Sequence, residues 1–144
     1  MFLAATPQQA QQIKPTMVFQ YAGDVPVYAT SHLFTNSNDH AQYMDLTGVL
    51  FCDTPWLLSS TDPLRQQVIT QWPAAAGPLG RLYAMGVDAY RLAPRLSQLK
   101  TLPESRVDGL SGSLSMSQTR RVERQLPWAQ FVDGKIQRLP DTAP

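Results

Sequence analysis

Apolar residues open the chain as a short run, Phe2 to Ala5, and then recur at helical spacing as Ala10, Ile13, Met17 and Tyr21. The run predicts a strand, and the spacing predicts a helix. Between them, Thr6 is a good N-cap, Pro7 suits the first helical position, and Gln9 lies three residues after the cap. That is a capping-box arrangement, in which side chains satisfy the orphan backbone donors of the first turn. Pro15 lacks a backbone N–H and should kink or break the helix, and Gly23 is a suitable stop. "VPVYATS" then predicts a second strand. Strand, helix, strand within about thirty residues is a βαβ unit and implies a parallel sheet.

"SHLFTNSNDHAQYMD" is polar and turn-rich, and reads as a loop with one helical turn. "LTGVLFCDTPWLL" predicts a third strand and a turn. Asp62 before Pro63 caps another helix, and "PAAAGPLG" is a cluster of helix breakers. The longest helix is "GRLYAMGVDAYRLAPRLSQLK". Leu82, Tyr83, Gly86, Ala89, Tyr90, Ala93 and Leu96 form one stripe on it, expected to be core. Gly86 and Ala89 would let a neighbouring element approach closely, and Pro94 should bend the last turns. From Leu110 onward apolar and serine positions alternate, so the chain ends in antiparallel β-structure. "SQTRR" turns it, Pro127 marks an edge or bulge, and Asp133-Gly134 predicts a tight hairpin.

Composition narrows the function classes. The 144 residues are 43% hydrophobic, enough for a folded core. Charged residues make up only 16%, against roughly 25% in an average soluble domain, and glutamine takes up much of the polar surface. The net charge of +1 provides no strong field for nucleic acid or an anionic membrane. No apolar run approaches the roughly 20 residues of a membrane span. "MFLAATPQQ" is apolar over too short a distance for a signal peptide and has no basic segment before it. It reads as a strand entered midway, so Met1 is expected to be an internal methionine of a longer protein.

Candidate chemistry is sparse. Cys52, the one cysteine, sits in an apolar β-type run and reads as a buried small hydrophobe. His32 and His40 match no common zinc spacing and read as loop residues. "GLSGS" around Ser111 resembles a nucleophile motif, but its order is wrong and no helix follows it. No glycine-rich phosphate loop is present. Asp24, Asp45, Asp53, Asp62 and Asp88 read as cap, turn or helix-surface residues, with no paired carboxylates for acid–base work. No catalytic, cofactor-binding or metal-binding residue is therefore assigned. The skewed feature is charge: Arg120, Arg121, Arg124, Lys135 and Arg138 face only Glu123 and Asp133 between 120 and 138. Arg120, Arg121, Arg124 and Arg138, with Trp128 beside them, are the candidate rim for an acidic partner surface. The plain alternative is a solvated hairpin face.

The blocks "ATPQQAQQIKP", "VPVYATS", "GRLYAMGVDAYRLAPRLSQL", "DGLSGSLSM" and "RQLPWAQF" resemble the C-terminal domain of the LpoA (LppC) family, from Phe2 to about Leu139. Its members are outer-membrane lipoprotein activators of class A penicillin-binding proteins, the bifunctional peptidoglycan synthases. The resemblance implies an α/β architecture: part of a type I periplasmic-binding-protein-like fold, with a βαβ unit, a crossover strand at 46–53, a long helix and C-terminal antiparallel β-hairpins. It implies one C-terminal fragment over 1–144, with 1–45 and 107–139 like the second lobe and 54–106 like the first. The lipidated cysteine of the family has no counterpart, since Cys52 lies mid-fold. The expected function is non-catalytic binding and activation of a class A penicillin-binding protein in the periplasm. Membrane attachment would come only through the lipid anchor of a full-length parent. The alternative is a periplasmic receptor for a small polar solute, with Thr6, Ser31 and Asp53 facing a cleft between lobes.

Overall fold

The computed structural model describes residues 1–36, 39–59, 61–102 and 104–140. Ser37 and Asn38, in the stretch read as a loop, lie outside them, as do Ser60, Pro103 and residues 141–144. The chain divides into two compact units, one of Met1–Asp53 with Pro127 onward, the other Thr54–Leu126.

The first unit is built on a five-stranded sheet. In chain order its strands are β1 (Phe2–Leu3), β2 (Tyr28–Ala29), β3 (Leu50–Cys52) and, after the second unit, β7 (Trp128–Val132) and β8 (Lys135–Arg138). Their order across the sheet is β1-β2-β3-β7-β8. The first three are parallel, and β7 and β8 join antiparallel. Helix α1 (Pro7–Phe19) connects β1 to β2, so the βαβ unit stands. The predicted capping box is present: the Thr6 hydroxyl accepts from Gln9 N, and Gln9 Oε1 accepts from Thr6 N at 3.0 Å.

Two expectations for this helix are corrected. Pro15 does not break it; the proline is exposed, so water can satisfy the carbonyl it leaves without a donor. The stop comes before Gly23. Tyr21 adopts φ 59°, its N–H donates to Val18, and Ala22 N donates to Met17 at 2.8 Å, a Schellman closure without glycine. Tyr21 is consequently 98% exposed rather than part of an apolar stripe.

The loop after β2 holds a short 3-10 turn, Ser31–Leu33, and α2 (Ala41–Met44). It delivers Phe34 and Tyr43 to the core, where they meet Phe51 of β3 and Phe131 of β7. Ring centroids are 4.8 Å apart for Phe51–Phe131, 5.2 Å for Tyr43–Phe131 and 5.7 Å for Phe34–Tyr43. Such pairs contribute about 0.5–1.5 kcal/mol each beyond the area they bury. Asp133 and Gly134 turn β7 into β8 with φ 48° and 74°, as the Asp-Gly signal predicts. Glycine is required there, because a Cβ would lie 2.6 Å from the His40 carbonyl oxygen.

The second unit carries α3 (Pro55–Leu58), α4 (Pro63–Gln71), α5 (Gly80–Leu92), α6 (Leu96–Thr101) and a three-stranded antiparallel sheet of β4 (Val107–Asp108), β5 (Ser113–Met116) and β6 (Val122–Gln125). Asp62 caps α4 by accepting from Arg65 N at 2.9 Å, with Pro63 following as predicted. Around Pro94 the chain tightens to a 3-10 turn, Ala93–Arg95, between α5 and α6. The unit boundary falls between β6 and β7. Among the described residues β4–β6 pair with one another, and the loop before β5 is bonded to α5.

The buried face of α5 differs from the predicted stripe. Gly80, Ala84, Asp88 and Leu92 are inside; Leu82, Met85 and Tyr90 are 63%, 52% and 84% exposed, and Gly86, Ala89, Ala93 and Leu96 are exposed too. The cause is Asp88, expected on the surface and in fact 3% exposed. Its carboxylate accepts from Leu110 N at 2.9 Å and from Ser111 N and Oγ, each at 2.6 Å. Gly109 lies so close that any Cβ would collide with this carboxylate. A buried carboxylate with three donors fixes the rotation of the helix more firmly than Leu82 or Tyr90 can.

Two stability predictions follow from α5. Asp88→Ala strands buried donors and should destabilise the chain by about 2–4 kcal/mol in urea unfolding; a change below about 1 kcal/mol contradicts the account. Gly86, where an added Cβ meets nothing within 4 Å, should behave oppositely. Gly86→Ala should stabilise by about 0.5–1 kcal/mol through helix propensity alone, and a lowered melting temperature would show a packing partner at that face.

Candidate functional site

The charged rim begins at the β5–β6 turn. Ser117 Oγ accepts from Arg121 N at 3.1 Å and shares a 2.9 Å hydrogen bond with Thr119 Oγ1. Arg120 N donates to the Ser117 carbonyl at 2.9 Å, and the turn closes with Arg120 at φ 62°. Arg120, Arg121 and Arg124 are all exposed. Arg124 stands opposite Leu114, its aliphatic stem lying over Gly112. A Cβ at Gly112 would come within 2.6 Å of Arg124 Cγ.

Trp128 and Arg138 sit in the other unit. Trp128 pairs with Cys52 across β3–β7 and packs edge-on against Tyr28, with centroids 5.9 Å apart. It is half-buried, so part of its surface is committed to the sheet. Arg138 is exposed on β8 opposite Ala129. The five rim residues thus divide three and two between the units.

The structure adds neighbours to Arg120 that the sequence reading passed over. Leu96, Ser97 and Lys100 of α6, with Met116 of β5 and Arg120, line a groove of about 220 Å³. Leu96, expected in the core stripe, is exposed, and Lys100 follows it one turn later on α6. The available signal was the Leu-Ser-x-x-Lys spacing, which puts a cation one turn beyond an apolar and a hydroxyl residue.

Elsewhere the side chains are committed to structure. The Thr6 hydroxyl is part of the capping box, Ser31 opens a 3-10 turn, and Asp53 is 1% exposed. All three follow the C-terminal ends of parallel strands, where open α/β sheets hold ligands. His40 Nδ1 donates to the Gly134 carbonyl at 3.2 Å. Among the described residues no group of three or more His, Cys, Asp and Glu is arranged to hold a metal ion. Among the described residues no helix is long and apolar enough to cross a membrane. Burial pushes the Cys52 thiol above its ordinary range, and the neighbouring Asp53 carboxylate adds to the shift. In Arg65 burial lowers the guanidinium, opposed by Asp62, while the cation lies 5.9 Å from the Trp56 ring centroid.

The family model described as "LppC putative lipoprotein" matches residues 1–134. The chain belongs to the LppC family. It is 34% identical over 137 residues, 94% of its length, to "Penicillin-binding protein activator LpoA" of Edwardsiella ictaluri. The match covers 20% of that relative, so the chain spans about a fifth of the length of such proteins. Its fold superposes on the C-domain of LpoA from Haemophilus influenzae, described as a regulator of PBP1A, with a TM-score of 0.80, 29% identity, and coverage of 96% of this chain and 44% of that one. A leucine-binding protein of Thermotoga maritima shares the fold at a TM-score of 0.54 and 13% identity, over 96% of this chain and 43% of that one. The architecture is therefore shared with part of the LpoA C-domain and part of the periplasmic-binding-protein fold.

Cys52 supplies a check on the electrostatics. Its raised pKa keeps the thiol protonated to higher pH in the folded chain. Alkylation by iodoacetamide should be slower than in urea at the same pH, with its rise displaced to the alkaline side. The associated stability is complete below the unfolded thiol's pKa and is lost as pH rises through the folded one. Equal alkylation profiles in the two states would refute the assignment.

Proposed function

We propose that the chain is a non-catalytic module that binds and activates a class A penicillin-binding protein during peptidoglycan synthesis. The observation that carries this reading is near end-to-end similarity to the C-terminal part of a protein named for that activity. A lack of catalytic function is supported by how the reactive groups are used. Ser111 and Asp88 are buried and bonded to each other, and no histidine occurs in their unit, since His32 and His40 both precede Thr54. Burial and the neighbouring Asp53 shift the Cys52 thiol upward, which disfavours the thiolate that a nucleophile needs. The lipoprotein description of the family supports a periplasmic setting, with a parent protein anchored in the outer membrane.

We further infer that the two compact units correspond to the two lobes of the fold, with Thr54–Leu126 as the first-lobe part. Partner contact is assigned to the exposed cations Arg120, Arg121 and Arg124, with Trp128 and Arg138 as secondary contacts. Rim charges act mainly on the association rate. A solute-receptor role is less well supported. Asp53 is almost completely buried, and Thr6 is occupied by its capping box.

The test measures surface binding of the chain to a purified class A penicillin-binding protein, and the glycan-polymerising rate of that enzyme with the chain added. The wild-type chain should bind and accelerate it, without turning over substrate alone. Reversing Arg120, Arg121 and Arg124 to glutamate should leave the melting temperature near wild type. It should slow association by about tenfold or more at low salt and flatten the salt dependence. Unchanged kinetics would move the contact face away from β6.

A further inference from the structure

We propose that the groove between α6 and the β5–β6 turn is a seat for an acidic segment of a protein partner, a carboxylate side chain next to an apolar one. The inference deepens the activator reading and rests on it for the partner's identity. It rests on the geometry of the groove for its chemistry.

The floor of the groove is apolar. Met116 packs against the buried cluster of Leu92, Leu99 and Leu114, and Leu96, 41% exposed, forms the other side. The rim is cationic. Lys100 stands near the end of α6 and Arg120 at the turn, both exposed, and Ser97 lines the groove with them. Neither cation is paired with a carboxylate among the described residues.

This combination selects one class of occupant. A purely apolar ligand leaves two cations unpaired. A phosphate or sulfate leaves the Leu96–Met116 floor uncovered. A carboxylate beside a leucine or phenylalanine satisfies both, and a groove of about 220 Å³ suits such a short pair of side chains rather than a helix. The position of Arg120 is enforced by the turn. Its left-handed backbone is held by the Ser117 carbonyl, and Ser117 Oγ fastens the next residue. The turn thus fixes the backbone of Arg120 beside the groove, so only its side chain has to be ordered on binding.

The experiment uses the full chain and a pair of variants that remove charge without disturbing the fold. Lys100→Gln is on an exposed helix end. Arg120→Asn keeps a residue that tolerates the left-handed conformation. The first probe is an acetylated, amidated peptide, Leu-Asp-Glu-Phe, with Leu-Asn-Gln-Phe as control, titrated in 1H–15N spectra. The acidic peptide should shift Leu96–Lys100 and Met116–Arg121 and fade as salt rises. The double variant should weaken it about tenfold, as expected for losing two charge contacts. Shifts that lie elsewhere, or that the amide control reproduces, overturn the proposal. Free acetate reproducing the same shifts overturns its protein-partner form in favour of a small carboxylate site.

The second probe is the penicillin-binding protein itself. The double variant should slow association several-fold relative to wild type. If the enzyme binds wild type and variant alike, the groove is not the partner's seat. If it binds neither while the acidic peptide binds as described, the activator reading fails and the groove remains an acidic-segment site.

Discussion

Asp88 closes a circuit of contacts on which the middle of the chain depends. Its carboxylate holds the backbone N–H groups of Leu110 and Ser111. The Leu110 carbonyl accepts from Trp56 N at 2.9 Å, and the Trp56 indole donates to the Ala75 carbonyl at 3.0 Å. Gly80, at the start of the same helix as Asp88, presses against both: a Cβ there would lie 2.8 Å from the Ala75 oxygen and 2.9 Å from Trp56 Nε1. Helix α5 is therefore gripped at both ends by α3, the Pro73–Ala76 turn and the loop before β5. A buried carboxylate is costly to desolvate, and only full satisfaction of its acceptors makes such a site favourable. Here the donors come from backbone that would otherwise be orphaned, so one charge serves two needs.

That circuit also explains how the candidate seat is made. With α5 fixed and tightening to a 3-10 turn at Pro94, α6 is laid against β5 through Leu92, Leu99 and Leu114. The flank of α6 next to Leu99 then carries Leu96 and Lys100 beside Met116 and Arg120. A chain with net charge of only +1 thus presents a local positive site without a strong global field. This suits recognition of a particular acidic segment better than indiscriminate attraction to anionic polymers.

Local signals were legible in the sequence, and distant ones were not. The Thr6–Gln9 capping box, the Asp62–Pro63 cap and the Asp133-Gly134 turn all depend on residues at most a few positions apart, and all formed. The parallel βαβ start followed from the same kind of reading. The rotation of α5 did not, because Asp88 takes its donors from residues 22 and 23 positions away. Hydrophobic periodicity scores leucine and tyrosine as inside and aspartate as outside, so it chose the wrong face. The β6 arginines were visible as charge, whereas Lys100 and Ser97 joined them only once α6 was seated beside β5. Tyr21 illustrates the remaining gap: a left-handed closure made by tyrosine carries no glycine to announce it.

The pairing of β3 with β7 sets a timetable for the chain's birth. Phe51 lies opposite Ala129, and Phe131 stacks on Phe51. Between the two strands the whole of 54–126 must be synthesised. At roughly 5–20 residues per second that interval lasts on the order of 4–15 s. Throughout it, β3 has a bare edge and Phe34, Tyr43 and Phe51 lack their partner Phe131, a state prone to pairing with the wrong strand. The Thr54–Leu126 unit has all its strands in hand before β7 emerges and has no such wait. The nascent chain therefore ripens from the middle outward, and its vulnerable period, when a holding chaperone matters most, belongs to its first fifty residues.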